Sequence, residues 1–425
     1  MKSKEPVDLT NSKASAPGMT GVQYLDILLS SAVADAILPV FYIFIPLFAV
    51  TIGANALELG LVGGASYAVY SFMPFIMGHF SDRRGSRKFF IVSAFVLLCI
   101  VSLLYSITIS PVTLIVIRLF EGTGWAMLWP AMEASITEDA FRESKKSLSV
   151  FNYTWSGGAA LGPLIGTFLV TVYSYRFAFF ASGILFAILI ALNLATLFRN
   201  KALPSPPNYK ANAKIPRASL ASSIRAVLFS ADKKRNFQVW TCLVATSLSA
   251  LTSGVFFTFF GPYAHSLGLT IVLIGAITTT YGVVRFFTYV VFARQAIRER
   301  IFDPSKRNRN VLVFASLASL SSLILIIKDP SGIAYFISFA LFAIGYSIVY
   351  AVSQGTLIAE TTQEKMGAGA GLFESSIGIG AAIGPTVAGA ISASALRISF
   401  IVPVVGLVFA LALLFVLSRS SRKSL

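Results

Sequence analysis

Long apolar runs alternate with short polar segments along nearly the whole chain. Each run has about twenty residues or more, the length at which a helix rising ~1.5 Å per residue crosses ~30 Å of hydrocarbon. The pattern predicts an all-α membrane protein with twelve transmembrane helices, spans 1 to 12, at 21–50, 58–78, 88–108, 111–137, 148–172, 177–198, 236–263, 270–293, 311–328, 331–359, 368–391 and 396–418.

Composition supports a membrane protein, and the positions of the charges set its orientation. Of the 425 residues 56% are hydrophobic and 12% charged, whereas a soluble chain has about a quarter charged. If the N-terminus is cytoplasmic, the Lys and Arg residues fall in the tails, the cytoplasmic loops and the central linker, except for Arg118, Arg176, Arg285, Lys328 and Arg397. This asymmetry predicts a multi-pass protein of the cell membrane with both termini cytoplasmic, and it explains the net charge of +16 without nucleic acid.

The polar segment 199–235 divides the chain. It contains Pro204, Pro206 and Pro207, and Asp232 is the one acid among its many basic residues. We expect a solvated cytoplasmic linker between two six-helix bundles, 21–198 and 236–418, with cytoplasmic tails at 1–20 and 419–425. The first twenty residues are polar, which predicts no removable signal peptide.

An internal repeat relates the two bundles. Glycines at four-residue spacing in span 5 recur 222 residues later in span 11, and each set includes a proline: Gly158, Gly162, Pro163 and Gly166, then Gly380, Gly384 and Pro385. Such glycines form flat strips where helices approach closely, and the prolines favour bends. We interpret the two halves as pseudo-repeats. Their glycine strips are interpreted as packing motifs of helices that move during transport, and static helix packing is the alternative.

The turn between spans 2 and 3 carries a family signature. Residues 78–88 read Gly-His-Phe-Ser-Asp-Arg-Arg-Gly-Ser-Arg-Lys, which resembles the corresponding loop of the major facilitator superfamily, except that Ser86 replaces a basic residue. The resemblance implies that superfamily's fold and a gating loop made of Gly78, Asp82, Arg83, Gly85, Arg87 and Lys88. Asp82 is expected to meet the start of span 11.

Two further motifs are similar to the drug:proton antiporter branch of the superfamily. Span 4 contains Arg118, Gly122 and Gly124, with Glu121 where that branch usually has Gln, and span 5 has the glycine set described above. The resemblance implies proton-coupled export by alternating access.

Charged residues inside the spans are the candidates for coupling, because each costs ~2.5–3.5 kcal/mol at the bilayer centre unless it has a partner or water. Helical rise places Asp35 and Arg118 at about the same depth, and Glu121 lies three residues after Arg118 on the same face. These residues form a candidate proton-relay cluster, in which both acids are expected to contact the Arg118 guanidinium and Asp35 is the principal proton carrier. A structural ion pair between spans 1 and 4 is the alternative.

Span 8 carries Arg285 and span 11 carries Glu374. The two side chains either neutralise each other, or Arg285 attracts an anionic substrate, or Glu374 attracts a cationic one. For Asp26 and Glu133, near the inner ends of spans 1 and 4, solvation or contact with the basic loop is favoured over substrate binding.

Aromatic and polar side chains within the spans predict a cavity for an amphipathic ligand. The candidates are Asn152, Trp155, Tyr281, Tyr346, Tyr350 and Gln354, together with Trp125, Trp129, Ser247 and Thr252. No zinc spacing, phosphate-binding glycine loop or catalytic triad is present, so we expect neither an enzyme nor a metal or cofactor site.

These patterns together predict a secondary active transporter, monomeric, that exports small amphipathic compounds in exchange for protons across the bilayer. The alternative in the same class is a transporter of an organic anion or metabolite that uses Arg285. A membrane sensor that does not transport is the alternative from another class.

Overall fold

The computed structural model describes residues 19–84, 86–137, 144–199, 228, 232–292, 294, 303, 306–361 and 366–422. These residues form helices and short connections, without a strand. The spans are 1, Gly21–Thr51; 2, Ala56–Tyr70 with Met73–Arg84; 3, Arg87–Ile107; 4, Pro111–Thr137; 5, Ser144–Val172; 6, Tyr175–Arg199; 7, Lys233–Ser266; 8, Ile271–Phe292; 9, Arg307–Leu320 with Ser322–Leu325; 10, Ile333–Ala359; 11, Met366–Ile391; and 12, Val402–Arg422 after a 3₁₀ helix, Leu396–Ile401.

The prediction of an all-α membrane fold is confirmed. In the described part of the chain, 11 helices are long and apolar enough to cross a membrane. Span 11, Met366–Ile391, has 26 residues and is not one of those 11. Most of the predicted linker and of the predicted tail 1–20 lies outside the described residues, whereas span 12 continues to Arg422 and so includes the first residues of the tail predicted at 419–425.

Local capping fixes where the first two spans begin. The Thr20 hydroxyl accepts a hydrogen bond from the Gln23 backbone N–H, and the Gln23 side chain accepts one from the Thr20 N–H. Asn55 and Glu58 make the same reciprocal arrangement at the start of span 2. This capping box satisfies backbone donors that a helix start leaves unpaired.

Span 2 differs from the prediction. It is interrupted at 71–72 and then continues to Arg84, so the predicted loop begins inside a helix. Pro74 has no N–H to donate to the Tyr70 carbonyl, which explains the interruption. A Cβ atom on Gly378 of span 11 would lie only 2.4 Å from the Ser71 nitrogen, so spans 2 and 11 approach closely at this break.

The glycine strips lie at the same helix pairs in both halves. A Cβ atom would collide with the backbone of a neighbouring span at each of four positions: Gly158 and Gly162 against span 1, Gly380 and Gly384 against span 7. At Gly380 it would lie 1.7 Å from the Ser247 carbonyl oxygen. Span 5 therefore packs on span 1 as span 11 packs on span 7, the pairing expected of two pseudo-repeats.

The two halves meet along spans 2 and 11 and along spans 5 and 8. A Cβ atom added to Gly371 of span 11 would lie 2.4 Å from the Pro74 carbonyl oxygen of span 2. A Cβ atom added to Gly282 of span 8 would lie 2.6 Å from the Ala159 carbonyl oxygen of span 5. We call the end of the bundle where span 1 begins the terminal end, and the opposite end the far end. Spans 1 and 7 meet toward the far end, where the Tyr42 and Phe257 rings are 4.3 Å apart. These contacts enclose a cavity between the halves.

Candidate functional site

The cavity has a volume of about 100 Å³. Both halves line it, spans 1, 2, 4 and 5 from the first and spans 7, 8, 10 and 11 from the second. Its charged lining residues are Asp35, Arg118, Glu121, Arg285 and Glu374. Space of this size holds a few water molecules, whereas sites for drug-sized ligands measure ~300–1,000 Å³, so a larger substrate requires the halves to separate.

Arg118 and Glu121 form a closed ion pair. Their atoms Nη1 and Oε2 are 2.6 Å apart, and Arg118 Nε also donates to the Val62 carbonyl at 3.0 Å. Glu121 accepts further hydrogen bonds from Trp125 Nε1, at 3.0 Å, and from the Tyr105 hydroxyl. The pair is neutral and well supplied with partners.

Asp35 is 3% exposed and faces the same cavity, but Arg118 is not its partner. No ion pair joins the two among the described residues, because Glu121 occupies the Arg118 guanidinium. This corrects the expected pairing of Asp35 with Arg118. The charges that act on the Asp35 carboxyl group are those of Arg285 and Glu374, and its Oδ2 atom has no hydrogen-bond partner in the described part of the chain.

Arg285 lies in a cage of aromatic rings. Its guanidinium carbon is 4.1 Å from the Trp155 ring centroid, and four tyrosine rings surround it at 5.3–5.9 Å: Tyr281, Tyr289, Tyr346 and Tyr350. Nη1 donates to the Tyr281 hydroxyl at 3.0 Å, while Nε has no hydrogen-bond partner among the described residues. Ring faces attract a cation, so the cage holds the charge without neutralising it.

Glu374 accepts hydrogen bonds from the hydroxyls of Tyr70, at 2.7 Å, and Tyr350, at 3.2 Å. It makes no ion pair with Arg285 in the described residues, so direct mutual neutralisation is wrong. The two side chains line one cavity without contact. With Arg118 and Glu121 paired, the lining holds one further cation, Arg285, and two further acids, Asp35 and Glu374.

A hydrogen-bonded network closes the terminal side of the cavity. Gln354 Nε2 donates to Glu133 Oε1 at 2.6 Å, and Asn152 Nδ2 donates to Gln354 Oε1 at 2.9 Å. Asn152 and Gln354 therefore join the halves beside the cavity but do not line it, contrary to the prediction. Glu133 has no exposed surface, so its predicted solvation is also wrong. Its predicted contact with the basic loop involves Arg83, whose side chain lies outside the described residues.

Trp125, Trp129, Trp155, Tyr281, Tyr346 and Tyr350 line the cavity as predicted from the sequence, whereas Ser247 and Thr252 do not. Ser247 donates to the Ser376 carbonyl at 2.7 Å and lines a separate apolar cavity of about 870 Å³. Sequence reasoning missed Tyr42, Tyr67, Tyr70 and Phe257. Tyr42 follows Asp35 by seven residues, two helical turns, a spacing that predicts a shared face.

At the terminal end, Asp82 and Arg87 form an ion pair at 2.5 Å, and Arg87 also donates to Ser81 Oγ at 2.8 Å. Lys88 contacts Asp26 at 3.5 Å, so Asp26 meets the basic segment through Lys88. Gly78 lies within the second helix of span 2. The structure does not describe Gly85, the Arg83 side chain or the residues just before span 11. The predicted contact of Asp82 with the start of span 11 therefore lies outside the described residues.

The chain is similar to known membrane transporters. The family model of the Major Facilitator Superfamily matches residues 27–298 and 242–425. The chain is 23% identical over 80% of its length to an uncharacterized MFS-type transporter of Methanocaldococcus jannaschii, of which it covers 83%. It is 29% identical to the glycerol-3-phosphate transporter of Bacillus subtilis, over 35% of this chain and 34% of that one. It is 25% identical to the methyl viologen resistance protein SmvA of Salmonella typhimurium, over 51% of this chain and 44% of that one.

A solved structure of a bacterial homologue of the human lysosomal transporter Spinster, inward-facing and unoccupied, superposes with a TM-score of 0.70 at 16% identity. The match covers 96% of this chain and 99% of that one. The protein belongs to the Major Facilitator Superfamily. It is therefore a multi-pass membrane transporter whose central cavity lies where two six-helix halves meet.

Proposed function

We propose that this protein is a proton-coupled secondary transporter that exports small amphipathic compounds by alternating access. The observation that carries the proposal is Asp35, a buried carboxyl group in the cavity with an oxygen that lacks a hydrogen-bond partner among the described residues. Its place beside Arg285 makes it the principal proton carrier. The Arg118–Glu121 pair supports span 4 and the cavity wall, and the terminal end faces the cytoplasm.

The charge balance of the lining favours exchange of a proton for a substrate. Asp35 and Glu374 exceed Arg285 by one negative charge when both acids are ionised, and a buried excess charge is costly. Binding one proton, or one cationic group, removes that excess. The proton and the cationic substrate therefore compete to neutralise the same excess charge. This competition couples the proton flux to a substrate flux in the opposite direction, as an antiporter requires.

The aromatic lining favours amphipathic substrates. Trp125, Trp129, Trp155 and the tyrosines around Arg285 offer ring faces to planar or cationic groups. The relative named for methyl viologen resistance is consistent with this substrate class.

Transport of an organic anion is the second candidate. It is favoured by Arg285, whose guanidinium has no ion-pair partner among the described residues. The glycerol-3-phosphate transporter relative points to the same chemistry. An anion would add to the negative excess of the lining, so this candidate requires protons to enter with it.

Flux measurements in proteoliposomes separate these candidates. We expect an imposed pH gradient to drive accumulation of an aromatic cation such as methyl viologen, and not of a phosphate monoester. Asp35→Asn should reduce that accumulation about tenfold or more, the equivalent of ~1.4 kcal/mol or more of coupling, while downhill exchange persists.

Glu58→Gln provides the matched control. Glu58 caps span 2 at the far end, and glutamine preserves that capping. Proton-driven accumulation at the wild-type rate in Asp35→Asn would overturn the assignment of Asp35, and gradient-driven accumulation of the phosphate monoester alone would select the anion transporter.

A further inference from the structure

Two carboxyl groups from opposite halves meet at the terminal side of the cavity. Glu133 of span 4 and Glu374 of span 11 are 0% and 3% exposed, and the charge of Glu374 acts on the Glu133 carboxyl group. The Tyr350 hydroxyl lies 3.2 Å from an oxygen of each. A hydroxyl has one proton and donates to one acceptor at a time, so Tyr350 cannot satisfy both carboxylates.

The other groups facing this pair supply too few protons for two carboxylates. Gln354 donates to Glu133 at 2.6 Å and Tyr70 donates to Glu374 at 2.7 Å, and both donors are neutral. Glu133 Oε2 has no hydrogen-bond partner among the described residues.

The charged groups facing the pair do not neutralise it. Arg285 of span 8 acts on Glu374 from a distance, its guanidinium held among the aromatic rings. Asp35 of span 1 faces the same cavity and adds negative charge. Two adjacent ionised carboxylates would therefore repel each other in an apolar setting without a paired cation.

We propose that Glu133 and Glu374 form a proton-binding site that locks the two halves together at the terminal end. One proton shared between the carboxyl groups turns their repulsion into a hydrogen bond between spans 4 and 11. When this proton is lost, spans 4 and 11 can separate. The Asn152–Gln354 contact, which depends on Glu133, then breaks as well. The lock is distinct from Asp35 and requires no substrate.

The sign of the pH dependence follows from where the proton binds. The closed state binds the shared proton and the open state releases it to solvent, so closure is complete at low pH. Closure is lost as the pH rises through the titration of the shared proton, and release of one proton shifts the opening equilibrium by up to about tenfold per pH unit. A glutamine at either position supplies a permanent neutral donor, so closure should then persist across the pH range.

Hydrogen exchange of the full-length protein in lipid nanodiscs, without substrate, tests the proposal. Exchange is measured over a pH series, corrected for the intrinsic rate, at the terminal-end segments 128–137, 148–156 and 350–357. We expect protection of wild-type protein to fall with rising pH, and Glu133→Gln and Glu374→Gln to stay protected. Glu58→Gln should follow wild type.

Tyr350→Phe sharpens the test because it removes a neutral donor and leaves both carboxyl groups. It should keep a pH-dependent opening, with the transition displaced. A flat wild-type series, or a wild-type pH response in both glutamine variants, would overturn the proposal. Because no substrate or flux is involved, such a failure leaves the role of Asp35 in transport unaffected, and failure of the flux experiment leaves this result unaffected.

Discussion

Two buried arginines line the cavity from opposite halves, and their surroundings differ. Arg118 of span 4 is held by Glu121 at 2.6 Å and by a backbone carbonyl. Arg285 of span 8 has one tyrosine hydroxyl and a cage of rings, without a carboxylate in ion-pair distance among the described residues. A paired charge is fixed in one geometry, while a charge held by ring faces can change partners as the halves move. We infer that Arg118 belongs to the scaffold and Arg285 to the transport cycle.

The largest expected effect is on stability at the first arginine. Arg118→Met leaves Glu121 buried without its cation, and breaking a buried pair in this way costs about 3–5 kcal/mol. Arg285→Met should cost about 1–2 kcal/mol, because a single hydrogen bond and ring contacts are lost. Thermal unfolding in detergent measures both. The double change Arg118→Met with Glu121→Met should recover much of the loss, and equal losses for the two single arginine variants would contradict the comparison.

The second effect is on transport at Arg285. Arg285→Gln removes the cation that acts on Asp35, so gradient-driven accumulation of an aromatic cation in proteoliposomes should fall about tenfold with only a modest loss of stability. Arg176→Gln is the matched control, since Arg176 also lies over an aromatic ring, 5.5 Å from the Phe48 centroid, but outside the cavity. An equal fall in both variants would show that the effect is not specific to the cage.

The smallest effects are expected at the aromatic partner of each arginine. Trp125→Phe removes the N–H that donates to Glu121, which should cost about 1 kcal/mol of stability. Trp155→Phe keeps a ring over Arg285 but weakens the cation–π contact, which should raise the substrate concentration for half-maximal flux about two- to fivefold. The comparison predicts that stability responds more to the first change and flux more to the second. The reverse order would contradict the division between scaffold and transport cycle.

Sequence reasoning worked best where a fixed helical period decided the outcome. The three-residue spacing of Arg118 and Glu121 put them on one face, and they form an ion pair. Depth along a helix was also read correctly, since Asp35, Arg118 and Glu121 line one cavity. Depth alone did not identify partners: Asp35 was expected to pair with Arg118, and Glu133 was expected near solvent. Both errors concern contacts between spans distant in the chain, for which local spacing carries no information.

The sequence by itself determined that the chain folds into membrane-crossing helices, the repeat that relates the halves, and which charges must find partners inside the bilayer. These follow from length, period and the cost of burying charge, which are properties of single helices. The tertiary structure alone decided that Glu121 pairs with Arg118, that rings surround Arg285, and that Glu133 and Glu374 lie beside the same tyrosine hydroxyl across the halves. The reason is physical: each of these outcomes depends on how helices are rotated and paired, and packing of side chains from many spans sets that rotation.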